Sequence, residues 1–125
     1  MLPRSRRITR GDDYRRIVRR GSRCAGPHTV THVVPSAEGD VRFGFIVARN
    51  VGGAVVRNTV RRRLKAVCAE ALELDPTIVG PGTDVVIRAL PGAGEASYSA
   101  LRDEVHACLK RSFSRMNRDS LAGSS

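Results

Sequence analysis

Residues 43–65 read FGFIVARNVGGAVVRNTVRRRLK, and the change of period inside this stretch decides the fold. Phe43 to Ala48 is an apolar run of strand length, Gly52-Gly53 interrupts it, and from Ala54 the pattern becomes helical. On a helical wheel starting at Arg57, the residues Arg61, Lys65, Asn58 and Arg62 fall at about 40°, 80°, 100° and 140°. Val56, Val60, Leu64, Val67, Ala71 and Leu74 fall between about 260° and 340°. One face of this helix is therefore apolar and the adjacent face is a continuous basic strip with an amide inside it. Like charges so close repel, and no acid appears on the helix before Glu70 to relieve them. Phosphates would neutralise the strip, and Asn58 can bond a 2′-hydroxyl or a base edge, or cap the first turn.

The remainder of the chain supports the same reading. Its 125 residues make one domain, and 22 Lys+Arg against 12 Asp+Glu give a formal charge of +10. The excess sits in two blocks. Residues 1–23 hold nine Arg against Asp12 and Asp13, and residues 49–65 hold six bases and no acid, whereas residues 66–110 are net acidic. Such a distribution points to a polyanion, nucleic acid first. With 41% hydrophobic residues the chain can build a core. No apolar run reaches the roughly 18 residues that span a bilayer, so no membrane is expected as a partner. The N-terminus has charge but no apolar segment of the secretory kind. Cys24, Cys68 and Cys108 are an odd, widely spaced set, expected as reduced intracellular thiols.

The coarse element order is α-β-β-α-β-α. Thr9 with Asp12 starts a first helix that Gly21 stops, with Tyr14, Ile17 and Val18 as its apolar stripe. The runs at 28–34 and 41–48 flank a turn over 35–40 and predict a β-hairpin. The long helix over 54–74 ends at Asp75-Pro76, and a short strand over 84–89 follows. A last helix starts near Ser97 or Ser99 and buries Tyr98, Leu101, Val105, Leu109, Phe113 and Met116. One RNA-binding domain is expected over 1–118, with a basic arm over 1–8 and a disordered tail over 119–125.

The residues offer little for independent catalysis. Asp12 and Asp13, the only adjacent acids, stand at a helix start, where the helix dipole accounts for them. Cys24, His28 and His32 have a spacing that suggests a metal, but Pro27 and the β-branched run after His28 argue for a strand. There the two imidazoles would stand about 13 Å apart, too far to share one ion. Among the aromatics, Tyr14 is the best candidate to touch a base, with Thr29 and Thr31 as weaker lining of a polar cleft.

The run from Phe43 to Lys65 resembles the signature of the bacterial ribonuclease P protein subunit: an apolar strand, a basic pair (of which Arg49 takes the first position), a Gly-containing turn, then Ala-Val-x-Arg-Asn followed by a basic helix. The segment DDYRRIVRRG resembles that family's first helix, and SYSALRDEV its end, so the likeness covers nearly the whole chain. It implies an α+β sandwich of ribosomal-protein type with a left-handed β-α-β crossover. It implies RNA-binding residues at Arg49, Arg57, Asn58, Arg61, Arg62 and Lys65. It also implies a cleft for a single-stranded leader lined by Tyr14, Val18 and Thr31. Departures are Gly53 where Asn is usual, Asn50 where a second base is usual, Lys65 where Arg is common, and Val18 where an aromatic is often found. The implied activity is that of an auxiliary subunit of an endoribonuclease. The catalytic RNA subunit removes the 5′ leader of precursor tRNA with Mg²⁺, which RNA and substrate bind, and the protein assists and broadens the substrate range in the cytoplasm. No catalytic residue and no metal ligand are expected on this chain. The alternative is a structural RNA-binding protein of ribosomal type. A DNA-binding helix-turn-helix ranks third, and no DNA partner is expected, because the basic helix follows strands and not a short helix.

Overall fold

The computed structural model describes residues 7–8, 11–35, 41–75 and 82–123, with side chains as far as 114. Helix α1 (Gly11–Arg20) leads into strands β1 (Ser22–Ala25), β2 (Thr29–Pro35) and β3 (Arg42–Ile46). Helix α2 (Ala54–Leu74), strand β4 (Thr83–Ala89) and helix α3 (Tyr98–Gly123) complete the chain. The four strands form one sheet in the order β1-β2-β4-β3. β1 and β4 both pair antiparallel with β2, and β3 runs parallel to β4. β3, α2 and β4 are thus a β-α-β unit, as the α+β reading requires.

Two strand assignments change. The hairpin expected between 28–34 and 41–48 does not form, because β4 inserts between β2 and β3. The physical reason lies in β4 itself. Val85, Val86 and Ile87 are all buried, so both faces of this strand are covered, as befits a strand at the centre of the sheet. The hairpin is instead β1–β2, and β1 is a strand that the sequence reading missed. The turn placed over 35–40 falls mostly outside the described residues, as does the helix-starting Thr9.

Alternation along the strands divides the core in two. Val33, Phe43, Val85, Ile87 and Ala89 face α2 and α3, where they meet Val60, Leu64, Val67, Val105 and Leu109. On the opposite face Val86 meets Ile8 and Ile17, with Tyr14, Val18, Val34 and Ile46 packed around them. The inward stripe of α2 is shorter than the wheel suggests: Val60, Leu64, Val67 and Ala71 are buried, but Leu74 is 71% exposed and Val56 only partly covered. α3 is capped by Ser97, whose Oγ accepts from the Ala100 N–H at 3.1 Å. Its backbone is helical to Gly123, past the start of the tail expected at 119, and no proline interrupts it. The side chain of Met116 lies outside the described residues.

The cysteine expectation is overturned. Cys24 of β1 and Cys108 of α3 form a disulfide with Cα atoms 5.6 Å apart, and only Cys68 is free, buried in the core. The two partners are 84 residues apart, and only the packing of α3 over β1 brings them together.

Candidate RNA interface

The turn before α2 sets how the basic strip is presented. After β3 the chain makes a 3-10 turn at Arg49–Val51 and enters α2 through Gly52 and Gly53. Gly52 has φ 157°, and a Cβ there would come within 2.8 Å of Val56. A side chain at Gly52 would therefore collide with Val56 in the first turn of α2.

Along α2, Asn58 and Arg62 are exposed while Arg57, Arg61 and Lys65 are partly covered. The Arg61 guanidinium donates to Asn58 Oδ1 at 3.2 Å, so the amide oxygen is engaged and its NH₂ stays available as a donor. The Nε of Arg57 is buried with no partner among the described residues. Arg63, in the middle of the Arg-Arg-Arg run, leaves the strip and donates to the Ala96 carbonyl at 3.1 Å, tying α2 to the entry of α3. Arg49 is exposed in the 3-10 turn.

Beside this strip lies a groove of about 430 Å³ along the outer edge of β3, lined by Arg7, Ile8, Tyr14, Phe43, Phe45, Arg61 and Lys65. It joins two of the expected RNA-binding residues to the expected cleft aromatic. Arg7, Ile8, Phe43 and Phe45 are additions. Arg7 became a lining residue only because it bridges in parallel to Phe43, and nothing in the basic arm signals that pairing.

Tyr14 closes the groove in a particular way. Ile8 N–H donates to the Phe43 carbonyl at 2.7 Å, as in a parallel ladder. In place of the next rung stands the Tyr14 hydroxyl, which donates to the Ile8 carbonyl at 3.0 Å and accepts from the Phe45 N–H at 3.3 Å. With its hydroxyl used in this way, Tyr14 has only its half-buried ring to offer a base. Val18 is half-buried in the small cluster under α1.

Thr31 is not in the cleft. It is wholly buried, and its strand neighbour Thr29 on the same face donates to Glu104 of α3 at 2.8 Å. Its cross-strand partner is Cys24, itself bonded to α3, so Thr31 lies under α3 on the far side of the sheet from α1. The threonine alternation was legible; which face it belonged to depended on the strand order.

α1 is fixed over the sheet by Asp84, fully buried on β4. Its carboxylate accepts from Arg16 of α1 at 2.7 Å and from Arg42 of β3 in a two-pronged contact at 2.9 Å. Burial alone would raise this carboxyl, but the bonds and charges of Arg42 and Arg16 hold it below the usual carboxylate range. Two of the arginines are therefore structural. Arg15 pairs with Asp12 on the surface, while a shallow hollow lined by Asp12, Arg15, Arg16, Arg19 and Arg20 keeps the outside of α1 basic.

Two further carboxylates are similarly committed. Glu104 accepts from the His28 N–H at 2.9 Å as well as from Thr29, and Glu70 accepts from Tyr98 at 2.8 Å. Among the described residues no group of three or more His, Cys, Asp or Glu could hold a metal ion. His106, on the face of α3 toward α2, sits 3.0 Å from the Val67 carbonyl. No described helix is long and apolar enough to cross a membrane.

Comparison with known proteins agrees with this arrangement. The Ribonuclease P family model matches residues 2–112. The chain is 46% identical over 112 residues to the ribonuclease P protein component of Clavibacter michiganensis, covering 89% of this chain and 96% of that one. It is 42% identical over 120 residues to the counterpart from Streptomyces avermitilis, covering 89% and 94%. In fold it is similar to the RNase P protein of Staphylococcus aureus, with a TM-score of 0.71 at 22% identity over 84% of this chain and 93% of that one. It is also similar to the one from Thermotoga maritima, with a TM-score of 0.66 at 22% identity over 84% and 96%. The basic helix entered through a glycine turn, the β-α-β unit that carries it and these matches over most of the chain agree: the chain belongs to the ribonuclease P protein family.

Proposed function

We propose that this chain is the protein subunit of a ribonuclease P holoenzyme, which removes the 5′ leader from precursor tRNA in the cytoplasm. It docks on the catalytic RNA through Arg57, Asn58, Arg61, Arg62 and Lys65 of α2, with Arg49 beside them. It holds the single-stranded leader between α1 and the sheet, near Tyr14 and Val18, and so extends the range of substrates that the RNA can process. The observation that carries this reading is the strip itself: partly or fully exposed cations on one helix face with no acid among them, adjoining a groove with an aromatic ring at its wall. A solvated helix would gain from interspersed carboxylates; a phosphate-binding one would not.

Chemistry is assigned to the RNA. Asp84, Glu104 and Glu70, the carboxylates bonded across the core, are taken up by arginine, threonine, tyrosine and backbone groups, which supports a reading in which the ions that activate water are held by RNA and substrate. The protein contributes charge neutralisation and orientation.

Reconstitution tests the reading. The purified protein, its cognate ribonuclease P RNA and a precursor tRNA are combined at low Mg²⁺, and cleavage is compared with that by RNA alone. A gain in cleavage is expected; equal rates would overturn the proposal.

A further inference from the structure

The face of the sheet beneath α1 has two electrostatically unlike ends. At one end Asp84 satisfies Arg16 and Arg42. At the other end three donor-bearing side chains meet with no acceptor among the described residues. His32 of β2 is 3% exposed, and neither of its ring nitrogens has a partner among the described residues. The Nε of Arg88 on β4 is also buried and unpartnered. Arg23 of β1 is the cross-strand partner of His32, and Arg88 pairs with Val30, two residues away.

All three lie on the α1 side. Val34 and Val86 pack in the cluster under α1, and His32 and Arg88 stand two residues from them on the same strands. Burial first, and then the positive charges of Arg88 and Arg23, hold the His32 imidazole below the ordinary histidine value. Buried polar groups are normally satisfied, so orphaned donors beside two guanidinium groups call for an acceptor that is itself negative. A phosphate group meets that description, and a neutral imidazole still supplies one N–H to it.

We propose that Arg23, His32 and Arg88 form a seat for one phosphodiester group of the single-stranded RNA that passes between α1 and the sheet. The proposal rests on reading that cleft as the leader site and adds to it a fixed point along the strand.

The test uses the holoenzyme with precursor tRNAs in which single leader linkages are replaced, one at a time, by neutral methylphosphonates. In the wild type one linkage is expected to be sensitive, with affinity falling roughly tenfold when its charge is removed. R88Q and H32Q holoenzymes are expected to bind the unmodified precursor more weakly and to show no further loss at that linkage, with R88K recovering part of the affinity. If no linkage is sensitive in the wild type, or if the variants lose as much as the wild type at every linkage, the seat is not a phosphate site. Binding of an acidic peptide in place of the leader at these residues would overturn it equally. If the wild type failed to distinguish precursors with and without a leader, the cleft reading itself would fall and the seat with it.

Discussion

The ring of Tyr14 lies against the bare Cα of Gly44. A Cβ built there would stand 2.6 Å from the ring carbon Cε1, well inside contact distance. Because the same side chain bridges Ile8 and Phe45 through its hydroxyl, one residue holds the arm, the edge strand and the first helix together. Gly44→Ala is expected to destabilise the fold by about 1–3 kcal/mol and to displace the ring. Tyr14→Phe keeps the ring and loses about 1 kcal/mol from the hydroxyl bonds. Urea melts check both values. Leader-dependent affinity should fall in Gly44→Ala far more than in Tyr14→Phe, since only the former moves the ring.

Neighbouring arginines of α2 have separable roles. Arg61→Ala is expected to weaken assembly with the RNA and to reduce the salt slope of binding by about 1. Arg63→Ala removes the bond to the Ala96 carbonyl, so it is expected to lower stability while leaving the salt slope as it was. Filter binding across a salt series, paired with thermal melts, distinguishes the two. A salt slope equally reduced in Arg63→Ala would mean that the strip is wider than the structure shows.

Asp84 gives a signed pH dependence. Its folded carboxyl titrates below its unfolded value, so the contribution it makes is fully present above the unfolded value. That contribution is lost as pH falls through the folded one. Asp84→Asn leaves Arg16 and Arg42 without their acceptor and is expected to cost about 2–3 kcal/mol at neutral pH, toward the low side because both guanidinium groups remain partly exposed. The gap between variant and wild type is expected to shrink in acid. A gap that persists unchanged at low pH would show that packing, not charge, holds α1.

Thiol counting checks the disulfide. Under non-reducing conditions the native protein is expected to show a single thiol, Cys68, reacting slowly because burial pushes its pKa up. Closing so long a loop stabilises by roughly 4–5 kcal/mol in the chain-entropy account, so a reductant or Cys108→Ser is expected to lower the melting temperature. A cytoplasmic setting disfavours such a bond. Three reactive thiols in protein isolated under alkylating conditions would show that the pair is held as adjacent thiols in the cell.

What could be read from the chain followed from local period. α2 announced itself because Val60, Leu64 and Val67 repeat at helical spacing with a uniform basic face beside them, and its polar side is where the wheel placed it. The strand order could not be read in the same way. Ser22 to Ala25 is short and mixed, and it is a strand only because β2 lies beside it. The turn signal after Pro35 suited a hairpin, yet β4 is buried on both faces and pairs along both edges, with β2 on one side and β3 on the other. Thr31 fell on the wrong side of the sheet for the same reason. The roles of Arg16, Arg42 and Arg63 depend on partners 68, 42 and 33 residues away, which composition treats as undifferentiated charge.

The bond between Cys24 and Cys108 makes most of the chain a closed ring with two tails. The whole basic strip of α2 and strands β2 to β4 belong to the ring, while the arm and α1 form one tail. A protease that cuts once inside the ring would therefore release nothing. The nicked protein would keep its mass, with every strip residue still tethered, until a reductant separated the pieces, whereas a cut between α1 and β1 would free one wall of the cleft at once.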